Sequence, residues 1–174
     1  EIDTSVIDEL INKLRNGLID LIVFNVSKKD YGKDILVIPC MEVHDVFIVG
    51  ASYRDLAKKE VSIHDLKNYP IILPSKESST RRFLEQFLTD HQCLLTPSLD
   101  LAGNHLVTLF TKMGFGVGFA TKEFIQGELD KKELFPLILK EKIPSRFIGI
   151  ATSKKHVPSF STKKLLELIG IKSN

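Results

Sequence analysis

Short apolar runs alternate with amphipathic segments along the whole of this 174-residue chain. Residues 21–24 and 71–73 are apolar without alternation, which is typical of parallel strands covered on both faces. Between such runs, apolar residues recur three and four positions apart, as they do at residues 83–88. Because predicted strands and helices alternate from end to end, the sequence indicates an α/β protein with a mostly parallel or mixed sheet.

The segment 69–88 joins one predicted strand to a helix through a polar turn that begins at Pro74. Three hydroxyl side chains stand in a row before the helix, where one would suffice as a cap. The first N–H groups of a helix lack partners within it, and the helix dipole is positive there, so this turn suits a small anion. The hydroxyl-bearing candidates for ligand binding are Ser75, Ser78, Ser79 and Thr80.

Two arginines follow these hydroxyls in the first turn of the predicted helix. Arg81 and Arg82 stand where a capping box would place Glu or Gln. Their positive charge opposes the helix dipole unless an anion or a carboxylate lies near. The alternative is an ordinary capped helix with solvated arginines, and the local sequence alone favours that alternative over a ligand site.

The composition is that of a soluble globular protein, with 43% hydrophobic and 26% charged residues. A net charge of +2 with well-mixed signs gives no indication of a nucleic-acid-binding surface on this chain. The sequence has no apolar run of about eighteen residues and no leader-like start, so we expect no membrane partner. Cys40 and Cys93 are predicted to be buried free thiols, in keeping with a cytoplasmic location, although a disulfide between them is an open alternative.

Nothing in the sequence matches a catalytic signature such as Gly-x-Ser-x-Gly or His-Glu-x-x-His. The five histidines and the two cysteines lack the spacing of metal ligands, so we predict no catalytic residues, no metal and no cofactor. The glycines of residues 114–118 lie within a probable strand and lack the spacing of a nucleotide-binding loop. The sequence therefore favours a binding module over an enzyme.

A helix is predicted before those glycines, with Asn104 as its N-cap and Gly114 as its end. Its spacing predicts a buried apolar face on the helix. The residues of that face are Leu106, Val107, Leu109, Phe110 and Met113.

Six phrases, in the right order and spanning essentially the whole chain, resemble the effector-binding domain of LysR-type transcriptional regulators. The phrases are the residues around Leu14-x-x-Gly17-Leu-Ile-Asp20-Leu-Ile-Val23, Pro39-Cys-Met-Glu42 with Val46-Phe-Ile-Val49, Val61-Ser-Ile-His-Asp-Leu66, Tyr69-Pro-Ile-Ile72, Lys112-Met-Gly114-Phe-Gly116-Val-Gly118, and Arg146-Phe-Ile-Gly-Ile150. The resemblance implies a two-lobed fold like that of type 2 periplasmic binding proteins, with a central cleft and two hinge crossings. Lobe I would comprise residues 1–42 and 144–174, and lobe II residues 43–143.

The resemblance also implies that a small effector, here a carboxylate or similar anion, binds in the cleft and alters the grip of the full regulator on DNA. Position by position, Thr4 and Ser5 match the hydroxyls of lobe I that face the cleft. The hydroxyls Ser75, Ser78, Ser79 and Thr80 match the turn of lobe II, and residues 102–104, with Ala102 and Asn104, match the next such turn.

The chain departs from the family pattern at its start. The DNA-binding winged helix–turn–helix and about thirty residues of lobe I are absent from it, which suggests a fragment. By resemblance, we expect a homodimer or tetramer that contacts DNA only through the absent domain. Two alternatives remain open from the sequence: a solute-binding receptor of a transport system with the same fold, and an enzyme on a similar scaffold.

Overall fold

The structure is a computed structural model that describes residues 7–26 and 30–170. The chain divides into two compact units, unit 1 with residues 1–42 and 146–174, and unit 2 with residues 43–145. Both units combine helices with strands, so the predicted α/β class is confirmed.

The described part of unit 1 has two helices and a three-stranded sheet. Its elements are α1 (Ile7–Arg15), β1 (Leu21–Val26), β2 (Ile35–Val43), β10 (Arg146–Ser153) and α5 (Phe160–Leu168). Acidic residues at the start of α1 and basic residues at its end complement the helix dipole. In the sheet, β10 lies between β1 and β2. The buried core consists of Leu10, Ile11, Leu14, Ile22, Ile35 and Ala151.

The prediction of a parallel, two-sided strand is wrong for β1. It pairs antiparallel with β10, in a register that joins Leu21 to Thr152 and Val26 to Phe147. Ile22 is buried, whereas its neighbour Val23 is 60% exposed. A continuous apolar run therefore need not mark a strand covered on both faces, because an antiparallel strand can carry the same residues with one face uncovered.

Unit 2 is built on a five-stranded sheet. Its strands are β3 (Asp45–Val49), β5 (Ile71–Pro74), β6 (Leu99–Leu101), β7 (Val117–Thr121) and β8 (Phe135–Pro136). They lie in the order β6-β5-β7-β3-β8. Strand β5 runs parallel to β6 and β7, whereas β3 runs antiparallel to β7 and β8. Strands β4 (Glu60–Val61) and β9 (Ile138–Leu139) form a separate parallel pair. The helices are α2 (Ser79–Asp90), α3 (Asn104–Lys112) and α4 (Gln126–Asp130), with 3₁₀ turns at Ala51–Lys58, Asp65–Asn68 and Lys122–Ile125.

The glycines of β7 and its approach allow other parts of the backbone to come close. A Cβ added to Gly118 would lie 2.1 Å from the Oγ1 atom of Thr111, so only glycine lets α3 pack directly on the strand. The neighbouring Phe119 is fully buried, and its ring stacks edge-on against Phe47 at 4.9 Å between centroids. The glycine pattern therefore serves helix packing within unit 2.

The buried face of α3 differs from the predicted one. Val107, Thr108 and Thr111 face the interior, whereas Leu109 and Met113 are 45% and 61% exposed. Small and β-branched side chains occupy the inner face because the helix lies so close to β7 at Gly118. Leu109 and Met113 are left on the outer face, whereas Leu106 and Phe110 are half-buried and Val107 is buried as predicted.

The two cysteines are free thiols, so the structure contains no disulfide between them. The prediction that both are buried is wrong for Cys40, which is exposed on β2. Cys93 is half-buried, and its Sγ atom donates to the carbonyl of Ile63 at 3.7 Å. Burial raises the pKa of the Cys93 thiol, with a smaller contribution from the charge of Glu141.

Candidate functional site

One edge of the sheet in unit 2 gathers the polar turns. The carboxyl ends of the parallel strands β5, β6 and β7 share this edge with the start of the antiparallel strand β3. At the edge, Pro74 pairs with Leu101, and Thr121 pairs with Asp45. Ligands of open α/β sheets bind outside the carboxyl ends of strands, so this edge is the candidate site.

Residues 75–79, which we call the serine turn, run from the end of β5 to the first residue of α2. The N–H of Ser75 donates to the carbonyl of Leu101 at 2.9 Å, and the N–H of Ser78 donates to the carbonyl of Ser75 at 2.9 Å. Ser78 is the N-cap of α2 with an extended backbone, yet its hydroxyl accepts no capping hydrogen bond. The side chain best placed to cap the helix is therefore not used for capping.

Ser75 has a role within the turn itself. Its hydroxyl and the backbone N–H of Glu77 both favour the ionised form of the Glu77 carboxyl. The backbone bond first, and the Ser75 bond second, hold the pKa of Glu77 below its ordinary value. Ser75 therefore helps to fix an acid in the serine turn.

Arg81 is buried beneath the serine turn, with only 4% of its surface exposed. Its Nε atom donates to Glu85 Oε1 at 2.8 Å, and its guanidinium also donates to the carbonyl of Pro74 at 3.2 Å. The carboxylate of Asp100, on β6, lies 3.6 Å away. The charge of Arg81 is thus compensated by carboxylates of the chain. Glu85 stands four residues after Arg81 in the same helix, a spacing that brings side chains together. This spacing could have revealed the Arg81–Glu85 pair from the sequence.

The neighbouring Arg82 is exposed, and its guanidinium donates to the carbonyl of Glu77 at 2.7 Å. Ser79 is half-buried at the start of α2, whereas the side chain of Thr80 is 4% exposed. Ser79 and Thr80 both have interaction partners in the structure. Among the four predicted hydroxyls, Ser78 and Ser79 lie at the accessible part of the turn, and Thr80 lies within the interior.

Residues 102–103 form the second turn, which links β6 to α3. The N-cap of α3 is Gly103 and not the predicted Asn104, because Gly103 has φ 104° and ψ 136°, a conformation that favours glycine. Asn104 is the first residue of the helix, and its carbonyl accepts a hydrogen bond from the Thr108 hydroxyl at 3.1 Å. The side chains of Ala102 and Asn104 are both exposed. The remaining predicted ligand residues, Thr4 and Ser5, lie outside the described residues.

Two hydrogen-bonded polar pairs at the same edge of the sheet were not predicted from the sequence. Buried Asp45 accepts a hydrogen bond from the Thr121 hydroxyl at 2.7 Å. The carboxylate of Glu123 accepts from the His44 N–H at 2.9 Å and lies 2.8 Å from the His44 Nδ1 atom. Burial opposes ionisation of Glu123, but these hydrogen bonds hold its pKa below the ordinary value. The partners lie 76 and 79 residues apart, so no local sequence pattern reveals them.

A groove of about 530 Å³ runs beside these pairs within unit 2. Its walls carry charges of both signs, including Lys122, Glu123, Glu141 and Lys142. The carboxylate of Glu141 accepts from the Ser62 hydroxyl at 2.7 Å and from the Ile63 N–H at 2.9 Å.

Within residues 7–26 and 30–170, no three His, Cys, Asp or Glu side chains are grouped so that they could hold a metal ion. Over the same ranges, every helix is too short or too polar to cross a bilayer.

The model of the family described as the LysR substrate binding domain matches residues 1–171. The chain belongs to this family. The resemblance stated from the sequence is thereby confirmed. The family comprises effector-binding domains of transcriptional regulators and is not a family of enzymes.

Among curated proteins, the HTH-type transcriptional activator CmpR from Synechocystis sp. (strain ATCC 27184 / PCC 6803 / Kazusa) is 23% identical over 109 residues. That match covers 63% of this chain and 35% of CmpR, so the chain spans about a third of the length of this relative.

Three solved structures of similar fold are regulatory or effector-binding domains. The CcmR regulatory domain from Synechocystis PCC6803, in complex with 2-PG, matches with a TM-score of 0.77 at 19% identity. The match covers 92% of this chain and 76% of the CcmR chain. The effector-binding domain of QuiR, in complex with shikimate, has a TM-score of 0.74 at 19% identity, with coverages of 95% and 77%. The regulatory domain of HypT from Salmonella typhimurium, in its apo form, has a TM-score of 0.79 at 14% identity, with coverages of 97% and 79%. These neighbours confirm the predicted fold class, that of type 2 periplasmic binding proteins.

Proposed function

We propose that this chain is the effector-binding domain of a LysR-type transcriptional regulator, and that it senses a small anionic metabolite. The single observation that carries the proposal is the family match over residues 1–171. The same match, together with regulators among the structural neighbours, favours regulation over a transport receptor of the same fold. In the complete protein, ligand binding would alter DNA binding by a separate domain, and no catalysis would be involved.

The serine turn supports an anion as the ligand. The N-terminus of a helix attracts negative charge through its first N–H groups and its dipole. The Ser78 hydroxyl is not engaged in capping α2, and Ser79 is only half-buried beside it. Hydroxyls in this position donate to carboxylate oxygens, so we assign the principal contacts to Ser78 and Ser79.

Further contacts are proposed with both turns. Ser75 lies in the serine turn, and the buried Thr80 follows that turn in α2. The second turn adds Ala102 and Asn104, which are exposed at the same sheet edge. Thr4 and Ser5 are proposed only because they match the family pattern. In family terms, we assign unit 1 to lobe I and unit 2 to lobe II.

A second copy of this chain is the proposed partner, in a homodimer or a tetramer. The outer face of α3 supports this, because Leu109, Met113 and the adjacent Phe115 are 45%, 61% and 50% exposed. Exposed apolar side chains that are neighbours in this way are typical of association surfaces. We place the assembly in the cytoplasm, where a transcriptional regulator meets DNA.

The test is a thermal-shift screen with carboxylates, inorganic phosphate and sulfate. A ligand that binds only the folded state raises the unfolding midpoint in a concentration-dependent way. We expect one of these anions to do so, and Ser79→Ala to weaken its binding about tenfold through loss of a hydrogen bond to a charged group. Ser161→Ala, in an exposed position on α5, is the matched control. The proposed site is wrong if both variants respond like the parent chain, and the ligand class is wrong if no anion raises the midpoint.

A further inference from the structure

The serine turn and the second turn begin side by side. Strands β5 and β6 pair in parallel up to Pro74 and Leu101, and the N–H of Ser75 donates to the Leu101 carbonyl at 2.9 Å. The serine turn starts immediately after this bond, and the second turn starts immediately after Leu101. A ligand that contacts both turns needs their spacing to be set before it binds, because ordering a loop on binding costs affinity.

One side chain bridges the two strand ends. The guanidinium of Arg81 donates to the carbonyl of Pro74 at 3.2 Å and lies 3.6 Å from the Asp100 carboxylate on β6. Its Nε atom donates to Glu85 at 2.8 Å, which ties the same group to the next turn of α2. Arg81 therefore contacts the last residue before the serine turn and the residue before Leu101.

Burial makes these contacts interdependent. Arg81 is 4% exposed, whereas the side chains of Glu85 and Asp100 are 48% and 40% exposed. The two acids can be solvated if a contact breaks, but the guanidinium has no such alternative and must keep its partners. Only the planar, five-donor guanidinium can serve several acceptors in fixed directions, and a lysine ammonium cannot.

We infer that Arg81 is a positioning residue that fixes the serine turn and the second turn relative to each other. It acts through Pro74 and Asp100 and does not contact the ligand. The inference rests on the proposed function for its ligand-binding consequence, but the positioning role itself can be tested without a ligand.

Hydrogen exchange of backbone amides in the unliganded chain is the deciding experiment. In Arg81→Lys, we expect exchange to accelerate about tenfold or more at residues 75–79 and also at residues 101–104, since both turns lose their common anchor. The matched control is Arg82→Lys, whose exposed guanidinium donates to the Glu77 carbonyl within the serine turn. It should leave residues 101–104 unchanged, whatever it does at residues 75–79. The inference is overturned if Arg81→Lys changes one turn alone, or accelerates exchange uniformly along the chain.

A second variant keeps the test independent of folding defects. Asp100 is 40% exposed, so Asp100→Asn should fold normally while weakening one contact of Arg81. We expect a smaller acceleration at residues 75–79, although Asp100 lies on the other strand. In the double variant with Arg81→Lys, the effects should be less than additive. Full additivity would show that Asp100 and Arg81 act separately, against the inference.

Titration with inorganic phosphate adds the functional readout. If phosphate binds the parent chain, we expect its Kd to rise about tenfold in Arg81→Lys and to stay unchanged in Arg82→Lys. An unchanged Kd in Arg81→Lys, despite accelerated exchange, would overturn the ligand-binding consequence. If phosphate does not bind the parent chain, the proposed ligand class loses support, and the exchange result alone decides the positioning role.

Discussion

The serine turn and the second turn occupy equivalent places after parallel strands, yet they are held in different ways. Besides its backbone bonds, the serine turn is held directly by a buried side chain, that of Arg81. The second turn meets Arg81 only through Asp100 on the preceding strand, and its own conformation depends on the positive φ of Gly103. A turn held by side chains leaves its cap hydroxyl available for a ligand, whereas a glycine-capped turn offers only backbone and exposed neighbours.

The largest effect on stability should come from Arg81, which contacts the serine turn directly and the second turn only through Asp100. We expect Arg81→Met to lower the free energy of unfolding by about 2 to 3 kcal/mol, because it removes the buried partner of a carbonyl and two carboxylates. Arg82→Met, the adjacent and exposed control, should stay within about 0.5 kcal/mol of the parent. Urea unfolding measures both. Equal effects of the two substitutions would mean that the serine turn is not held by Arg81.

The second turn should respond most to its glycine. Gly103→Ala should cost about 1 to 2 kcal/mol, since a side chain is strained at φ 104° and its Cβ would lie 3.1 Å from His105 Nδ1. Gly127→Ala is the matched control, and we expect it to change the free energy of unfolding in the opposite direction. Gly127 is in α4 with nothing near its added Cβ, so the change should stabilise by about 0.5 to 1 kcal/mol. If Gly103→Ala were neutral in urea unfolding, the backbone would not be what fixes this turn.

Two cap serines sharpen the comparison further. Ser159 caps α5 by accepting from the Thr162 N–H at 3.3 Å, so Ser159→Ala should cost about 1 kcal/mol. Ser78→Ala should cost less than about 0.5 kcal/mol, because its hydroxyl accepts no capping bond. Thermal unfolding of both variants checks this difference. A loss at Ser78 as large as that at Ser159 would identify the Ser78 hydroxyl as structural.

The smallest effect concerns pH and the acid of the serine turn. The folded-state pKa of Glu77 lies below the value of about 4.3 expected when unfolded, so its ionised form stabilises the fold above that pH. This contribution is lost as the pH falls through the folded-state pKa. Glu77→Gln should therefore show a flatter decline of unfolding free energy below about pH 4.3. Ser75→Ala, which removes one donor to Glu77, should show part of the same change, and an unaltered slope in both would contradict the assignment.

The sequence predicted the serine turn because its signals are local. An apolar run, Pro74 and consecutive hydroxyls lie next to one another, and the strand, turn and helix form where these signals indicate. The cap of α3 was misplaced by one residue because Gly103 and Asn104 are both acceptable cap residues by type. The backbone conformation that decides between them depends on how β6 enters the helix.

Long-range contacts account for the remaining differences. The bond between Asp45 and Thr121 joins residues 76 positions apart. The inner face of α3 is set by contact with Gly118 and not by the apolar spacing of the helix itself. A single sequence specifies such contacts only through the complete fold, so periodicity identifies the helix but not the face that is buried.

The two thiols differ in exposure, so one of them can be labelled selectively. Cys40 is exposed on β2, the strand that carries the chain from unit 1 to the first residue of unit 2. Cys93 is half-buried with a raised pKa, so it holds less of the reactive thiolate at neutral pH. A maleimide fluorophore should therefore attach at Cys40 first in the unaltered sequence. Its emission would then report, without any engineered cysteine, whether an effector changes the surroundings of the strand that links the two units.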